Sequence, residues 1–198
     1  MPSPSGPPCP WIKICGTTNR ADAELAIELG ADAIGLVFAP SRREVPIDQA
    51  RQLVRDVRGR IEVVGVFKEL AAVRAVHEAI GLDRVQLHVP GHPRVDLPLL
   101  RALRPGELAD ARHVATEEWI LIDGSEGRGL TFDWKLAEQL TRPFVLAGGL
   151  TPDNVADAVR LARPAGVDVT SGVELEPGRK DPAKLARFIA NARRAFAR

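Results

Sequence analysis

The chain alternates between short apolar segments and longer amphipathic segments over most of its length. Short apolar segments rich in valine, isoleucine and leucine are typical of buried parallel strands, whereas apolar residues that recur every three to four positions indicate helices. Eight segments have the strand pattern: residues 11–15, 32–38, 61–67, 83–88, 98–103, 118–122, 143–147 and 167–169. The helical pattern falls between them and after the last, at residues 19–29, 47–57, 70–80, 107–113, 132–140, a run that starts at 151, and 182–196.

This alternation predicts an α/β fold in which parallel strands are joined by right-handed helical crossovers. Eight strand–helix units predict one closed (βα)₈ TIM barrel, and a length of 198 residues, low for that fold, requires short connections. Residues 89–98 hold three prolines and one glycine, which disfavour a full helix. We therefore predict a shortened, irregular region around the fourth helix and the fifth strand.

Three helix starts are marked by residue types that cap helices, Asn19, Thr151 and Asp181. A proline follows each of the last two caps, which suits the first helical turn. We expect the seventh helix to start at Thr151 and the last one at Asp181.

Residues 1–10 are rich in proline and serine and have neither a basic start nor an apolar centre. This composition predicts a loose N-terminal extension and not a signal peptide. No linker and no internal repeat divides the rest of the chain, so residues 11–198 are predicted to form one barrel domain.

Composition and charge exclude several classes of function. A formal net charge of +1 gives no reason to expect nucleic acid or a membrane surface as partner, and no apolar run is long enough to span a bilayer. The two cysteines, Cys9 and Cys15, match no zinc-site or redox-motif spacing, which favours a reducing compartment such as the cytoplasm. His92 lies four residues after His88, but Gly91 and Pro93 rule out a helix that would align them as metal ligands, and we predict no metal site.

Cys15 and Asp123 end the first and the sixth predicted strands. The carboxyl ends of the strands gather at one mouth of a barrel, where the chemistry of this fold takes place. Cys15 could be a base, a nucleophile or a small buried side chain. Asp123 could donate or accept a proton, or it could cap a helix or pair with an arginine.

Glycine-containing turns follow the seventh and eighth strands, namely Gly148-Gly149 and Ser171-Gly172. Glycines let backbone N–H groups approach a ligand closely, and this pair of loops often binds phosphate in barrels. We predict a phosphate site there, strengthened by the helix expected to start at Thr151.

Other polar residues also follow or line predicted strands. Arg43 lies in the loop after the second strand and could bind a carboxylate or be a solvated surface residue. His88 ends the fourth strand, and Gln86 points the same way, so either could line the mouth. Lys13 points into the barrel like Cys15 and could be neutralised by Asp168 on the eighth strand, with a Schiff-base lysine as the alternative.

Six motifs resemble one known family when they are taken together and in this order, over the chain from about Trp11 to its C-terminus. They are Lys13-Ile14-Cys15-Gly16-Thr17-Thr18-Asn19, Ala31-Asp32-Ala33-Ile34-Gly35-Leu36-Val37-Phe38, Val85-Gln86-Leu87-His88, Thr131-Phe132-Asp133-Trp134, Leu146-Ala147-Gly148-Gly149-Leu150 and Val167-Asp168-Val169-Thr170-Ser171-Gly172-Val173-Glu174. The family is phosphoribosylanthranilate isomerase. The resemblance implies a (βα)₈ barrel of tryptophan biosynthesis that performs an Amadori rearrangement without a cofactor.

The resemblance also implies roles for single residues. Cys15 would be the general base and Asp123 the general acid. Arg43 would hold the anthranilate carboxylate, although the arginine loop is one residue shorter than the family's pattern and Arg42 competes for the role. The phosphate would be held by four residues of the two turns: Gly148, Gly149, Ser171 and Gly172. The implied partner is a small phosphorylated substrate, bound by a monomer or a homodimer.

Two other functions stay open at this point. A related dual isomerase that also serves histidine synthesis resembles this fold, but it has an aspartate where this chain has Cys15. A barrel that binds phosphorylated ligands without turning them over would carry the same glycine turns.

Overall fold

The predicted barrel is confirmed in the computed structural model of the protein, which describes residues 6–91, 93–124 and 132–197. Eight parallel strands close in chain order, and the first pairs with the last. The strands are β1 (Trp11–Cys15), β2 (Ala33–Val37), β3 (Glu62–Phe67), β4 (Arg84–Leu87), β5 (Leu99–Leu103), β6 (Trp119–Asp123), β7 (Phe144–Ala147) and β8 (Gly166–Val169).

The outer layer is made of α-helices after β1, β2, β3, β7 and β8 and of tighter 3-10 helices after β5 and β6, with one further 3-10 turn directly after β8. The α-helices are α1 (Arg20–Glu28), α2 (Ile47–Val57), α3 (Val73–Ile80), α4 (Val155–Ala162) and α5 (Pro182–Phe196). The 3-10 helices are Pro105–His113, Trp134–Gln139 and Ser171–Val173. A small antiparallel hairpin between β8 and α5, made of β9 (Glu174–Glu176) and β10 (Arg179–Lys180), was not predicted.

The two faces of β1 show how the strands divide the core. Ile12 and Ile14 pack in the large apolar layer between the barrel and its helices. Trp11 packs in a second apolar layer with residues that other strands contribute, including Leu100 and Val145. Because side chains alternate along a strand, Lys13 and Cys15 share the face of Trp11 and point into the barrel. The polar side chains of Lys13 and Cys15 therefore lie inside the barrel, on the face of β1 that also carries the apolar side chain of Trp11.

The predicted irregular region is confirmed, since residues 89–91 and 93–98 contain no helix. Arg101 on β5, 1% exposed, lies beneath this segment. Its guanidinium donates to the carbonyl oxygens of Gly91 (3.3 Å) and Pro93 (3.0 Å) and pairs with Glu118 at 2.9 Å. Carbonyls that are partly removed from water need donors, and here one arginine supplies two of them in place of helical hydrogen bonds.

Two expectations need correction. Helix α4 begins at Val155 and not at Thr151, because Asn154 bridges the preceding turn by accepting from the N–H of Thr151 (2.7 Å) and donating to the carbonyl of Gly149 (2.9 Å). The N-terminal extension is not loose at residues 6 and 7. Pro7 is buried, and Gly6 lies against Pro143 so closely that an added Cβ would come within 2.7 Å of it.

Candidate active site

The thiol of Cys15 lies at the carboxyl end of β1 in a space that a glycine provides. Cys15 is 6% exposed and is paired with Gly35 on β2. A Cβ on Gly35 would lie 2.9 Å from Cys15 Sγ and 3.0 Å from Lys13 Cε. Both distances are shorter than normal van der Waals contact, so only glycine leaves room for the thiol and the lysine together.

Lys13 and Asp168 form the buried ion pair that the sequence suggested, with Nζ and Oδ1 2.9 Å apart on the neighbouring strands β1 and β8. Burial lowers the pKa of Lys13, but the charges of Asp168 and Cys15 outweigh it, so this pKa is raised. Lys13 therefore remains a cation beside the Cys15 thiol. Because Asp168 binds this ammonium, the contact is that of an ion pair and does not support the Schiff-base alternative.

Asp123 ends β6 and is half-buried, and its neighbour on β7 is Ala147, directly before Gly148. It lines a small cavity together with Asp168 and Ser171. It also lines a second cavity together with His88. Asp123 thus lies between the two glycine-containing turns and the end of β4, and Asp168 connects it to the Lys13–Cys15 pair.

The turns after β7 and β8 lie against each other. Gly148 and Gly149 have φ angles of 92° and 65°, a left-handed conformation that favours glycine. A Cβ on Gly172 would collide with the carbonyl oxygen of Leu150. The four predicted phosphate residues therefore meet at one place, where Gly148, Gly149 and Ser171 line the same cavity as Asp123. Because α4 starts at Val155, any backbone donors for an anion come from the turns themselves.

Arg43 lies across the end of β1, and Arg42 is exposed. A Cβ on Gly16, the residue after Cys15, would come within 2.7 Å of Arg43 Cδ, so the arginine stem passes directly over this glycine. The guanidinium is bound to Glu174, with Nη2 and Oε2 2.7 Å apart. Of the two candidate arginines, the structure places Arg43 beside Cys15 and Arg42 in solvent.

Two buried charged residues near Cys15 were not assigned from the sequence. Glu174 closes one of the family motifs without a role, and Lys180 was not singled out. Lys180 is 2% exposed, and its Nζ donates to the carbonyl oxygen of Cys15 (2.5 Å) and to Glu174 Oε1 (3.2 Å). The sequence signal was the Pro177-Gly178 turn between charged residues, which marks the hairpin but not its contacts.

His88 is in contact with Gln86 through their Nε2 atoms, 2.7 Å apart, and His88 lines a cavity together with Asp123. Residues 92 and 125–131 lie outside the described part of the chain, and with them His92 and Thr131. Among the described residues, no three histidine, cysteine, aspartate or glutamate side chains are grouped so that they could hold a metal ion. None of the described helices is long and apolar enough to cross a membrane.

A parallel eight-stranded barrel with a buried thiol and a carboxyl group at the ends of its strands defines the class of (βα)₈-barrel enzymes. The family model described as N-(5'phosphoribosyl)anthranilate (PRA) isomerase matches residues 12–191. The chain belongs to this family.

Similar proteins agree with the assignment over nearly the whole chain. The N-(5'-phosphoribosyl)anthranilate isomerase of Magnetococcus marinus is 44% identical over 202 residues, which cover 93% of this chain and 95% of that protein. The solved structure of phosphoribosyl anthranilate isomerase from Thermotoga maritima has a TM-score of 0.82 at 35% identity and covers 92% of this chain and 98% of that one. A structure of such an isomerase in complex with reduced 1-(o-carboxyphenylamino)-1-deoxyribulose 5-phosphate has a TM-score of 0.80 at 34% identity, with coverage of 92% and 98%.

Proposed function

We propose that this chain is an isomerase of tryptophan biosynthesis. It converts N-(5'-phosphoribosyl)anthranilate to 1-(o-carboxyphenylamino)-1-deoxyribulose 5-phosphate by an Amadori rearrangement. One observation supports this beyond the family: Asp123 lines the cavity of the glycine turns together with Asp168, and Asp168 pairs with the lysine beside Cys15. An acid and a base thus lie at the same end of the barrel, linked through Asp168 and Lys13.

The proposed chemistry uses one proton donor and one proton acceptor. Asp123 protonates the ribose ring oxygen, the C1–O bond breaks, and the ring opens to an iminium cation. The cation acidifies the C–H at ribose C2, and the thiolate of Cys15 removes that proton to give an enolamine. The enolamine tautomerises to the ketone as its hydroxyl proton leaves and C1 gains a proton. Solvent restores the proton that Asp123 lost and accepts the one that Cys15 gained.

The other predicted residues would bind the substrate. Arg43 would hold the anthranilate carboxylate, because its stem passes over Gly16 at the end of β1 and its side chain, unlike those of Lys13 and Lys180, is partly exposed. The phosphate would lie on Gly148, Gly149, Ser171 and Gly172, and His88 would line the mouth near Asp123. No cofactor takes part in this scheme. A cytoplasmic location and a monomeric or homodimeric state remain predictions.

The test is turnover by purified protein of phosphoribosylanthranilate, followed by loss of the substrate's fluorescence. The proposal predicts turnover with this substrate and none with the aminoaldose substrate of the histidine pathway. Turnover of both would indicate the dual isomerase. Binding of phosphoribosylanthranilate with no loss of fluorescence would indicate a non-catalytic barrel and overturn the proposal.

A further inference from the structure

Arg43, Glu174 and Lys180 form a buried ionic cluster at the mouth, which we call the hairpin cluster because two of its members lie on β9 and β10. The Glu174 side chain is 4% exposed, that of Lys180 0% and that of Arg43 16%. Enclosing three charges away from water is costly, and a buried pair of this kind is weak evidence for a gain in stability. Its position beside Cys15 therefore raises the question of what it contributes to the site.

The Glu174 carboxylate binds one particular edge of the Arg43 guanidinium. Arg43 Nε donates to both carboxylate oxygens, at 3.0 and 3.1 Å, and Nη2 donates to Oε2 at 2.7 Å. An arginine has a second edge, formed by Nη1 and the other N–H of Nη2, which can bind another carboxylate in the same two-pronged way. Glu174 fixes the plane of the guanidinium and with it the direction of this second edge.

Glu174 is itself held in place by the hairpin. The N–H of Gly178 donates to Glu174 Oε1 at 3.1 Å, and Lys180 Nζ donates to the same oxygen at 3.2 Å. Lys184 Nζ donates to the backbone carbonyl of Glu174 at 2.9 Å. The carboxylate is therefore fixed before any substrate binds, which lowers the entropy that Arg43 would lose on binding.

The hairpin is also tied to the strand and helix that surround Cys15. Thr18 Oγ1 donates to the carbonyl of Gly178 at 2.6 Å, and the N–H of Lys180 donates to Asp22 Oδ2 at 2.9 Å. Lys180 Nζ reaches the carbonyl oxygen of Cys15 itself at 2.5 Å. The same cluster thus contacts both the Arg43 guanidinium and the strand end that carries the thiol.

We propose that Glu174 is a positioning residue that sets the direction of the Arg43 guanidinium, so that its second edge meets the ring carboxylate of the substrate while Lys180 keeps Cys15 in register with it. The proposal rests on the proposed function, which supplies the carboxylate-bearing substrate. It makes Glu174 a determinant of specificity for anthranilate over an uncarboxylated aniline ring.

The test compares the binding of two stable ligands by titration calorimetry. One is reduced 1-(o-carboxyphenylamino)-1-deoxyribulose 5-phosphate, and the other is the same molecule without its ring carboxylate. Arg43→Ala should lower the affinity for the carboxylated ligand about ten- to a hundredfold, which is the usual contribution of a hydrogen bond to a charged group. The affinity for the uncarboxylated ligand should change little. Glu174→Gln should weaken the carboxylated ligand about tenfold, again with little effect on the other.

Further variants separate positioning from a general structural role. Glu176→Gln, on the same hairpin but exposed, is the matched control and should bind both ligands like the native protein. The double variant Arg43→Ala with Glu174→Gln should bind no worse than Arg43→Ala alone, because Glu174 acts through the arginine. If Glu174→Gln fails to fold, Glu174→Asp keeps the negative charge but shortens the side chain by one methylene, which disturbs its two-pronged contact with Arg43, and the same ligand discrimination is expected.

The positioning role would be overturned if Glu174→Gln or Glu174→Asp lowered the affinity for both ligands equally. It would also be overturned if the double variant lost affinity by the full product of the two single effects. If Arg43→Ala does not distinguish the two ligands, Arg43 does not bind the carboxylate and the proposal fails with it. That failure is separate from the proposed isomerase activity, which the turnover of phosphoribosylanthranilate tests independently.

Discussion

Buried charges serve two different purposes on opposite sides of this barrel. Under the irregular segment between β4 and β5, Arg101 pairs with Glu118 and gives its remaining contacts to backbone carbonyls of the loop. Around β8, β1 and the hairpin, Lys13 pairs with Asp168, and Lys180 pairs with Glu174. The charges of the second region converge on Cys15, whereas those of the first region end in the loop.

The two regions show that burial and ion pairing alone do not identify a functional residue. Arg101 and Lys180 are buried to the same degree, at 1% and 2% exposed, and each is paired with a glutamate. They differ in the other residues that they contact: Arg101 donates to backbone carbonyls of the loop after β4, whereas Lys180 donates to the carbonyl of Cys15. Removing Arg101 should therefore affect stability, while changes around Cys15 should affect chemistry or substrate binding.

The largest effect is expected from the proposed acid and base. Cys15→Ser and Asp123→Asn should each lower the turnover number by at least about two orders of magnitude, since a positioned acid or base contributes about 10²- to 10⁴-fold. Affinity for reduced 1-(o-carboxyphenylamino)-1-deoxyribulose 5-phosphate should stay near the native value. Steady-state kinetics and calorimetry measure the two quantities. Native turnover in either variant would remove that residue from its role.

Arg101→Met should show the opposite behaviour. It leaves Glu118 and the loop carbonyls without their donor, and breaking a buried pair costs about 3–5 kcal/mol of unfolding free energy. The turnover number of the folded fraction should remain within about twofold of native, because no contact of Arg101 reaches Cys15. Urea unfolding and kinetics on the same samples check both parts. Adding Glu118→Gln should restore some stability, and a large loss of turnover in Arg101→Met would erase the distinction between the two regions.

The two neighbouring arginines of the loop after β2 differ in the same way, because only Arg43 lies beside Cys15. Truncating Arg43 to alanine should lower kcat/KM about ten- to a hundredfold, because a hydrogen bond to a charged group contributes about 1.5–3 kcal/mol. We expect KM to rise and the turnover number to fall, since a displaced anthranilate ring misaligns the C–H at ribose C2 with Cys15. Arg42→Ala is the matched control and should change little. If Arg42→Ala is the impaired variant, the assignment of this loop is wrong by one residue.

The smallest effect is a pH dependence of stability at the hairpin. Burial raises the pKa of Glu174, but hydrogen bonds from Arg43 and the charge of Lys180 outweigh it, so this pKa is lowered. A lowered folded-state pKa contributes stability above the unfolded value of about 4.3, and the contribution is lost as the pH falls through the folded pKa. The stability difference between native protein and Glu174→Gln should therefore stay constant from about pH 7 to about pH 5 and shrink as the pH falls below about 4.3 through the lowered folded-state pKa. Unfolding at several pH values measures it, and a difference that stays constant over the whole range would show that the carboxylate charge is not involved.

Much of the fold follows from local patterns. The eight strands were predicted because buried strands carry a continuous apolar signal, and Asn19 was recognised as a cap, which the structure bears out with a 2.9 Å bond from the N–H of Asp22. The start of α4 was missed because Asn154 competes with Thr151 by bonding the turn, and both have the side chains of capping residues. Neither residue type nor spacing decides between two such caps.

The site divides in the same way. Cys15 and Asp123 could be predicted as site residues because each ends a strand. The pairing of Lys13 with Asp168 could be predicted because side chains alternate along β1. The contact between Arg43 and Glu174 joins residues 131 positions apart, and that between Lys180 and Cys15 joins residues 165 apart. No local pattern encodes such pairs, because they depend on how the hairpin lies on β1 after the barrel has closed.

The proton transfer at ribose C2 can be followed in a single turnover of phosphoribosylanthranilate with enzyme in excess, monitored by fluorescence, with hydrogen or deuterium at that carbon. The native protein should consume the substrate, and should do so more slowly with deuterium, because the Cys15 thiolate removes that proton. Cys15→Ser should bind the substrate but leave its fluorescence largely unchanged over the same time. Absence of turnover in the native protein would overturn the isomerase function, and undiminished turnover in Cys15→Ser would show that this thiol is not the base.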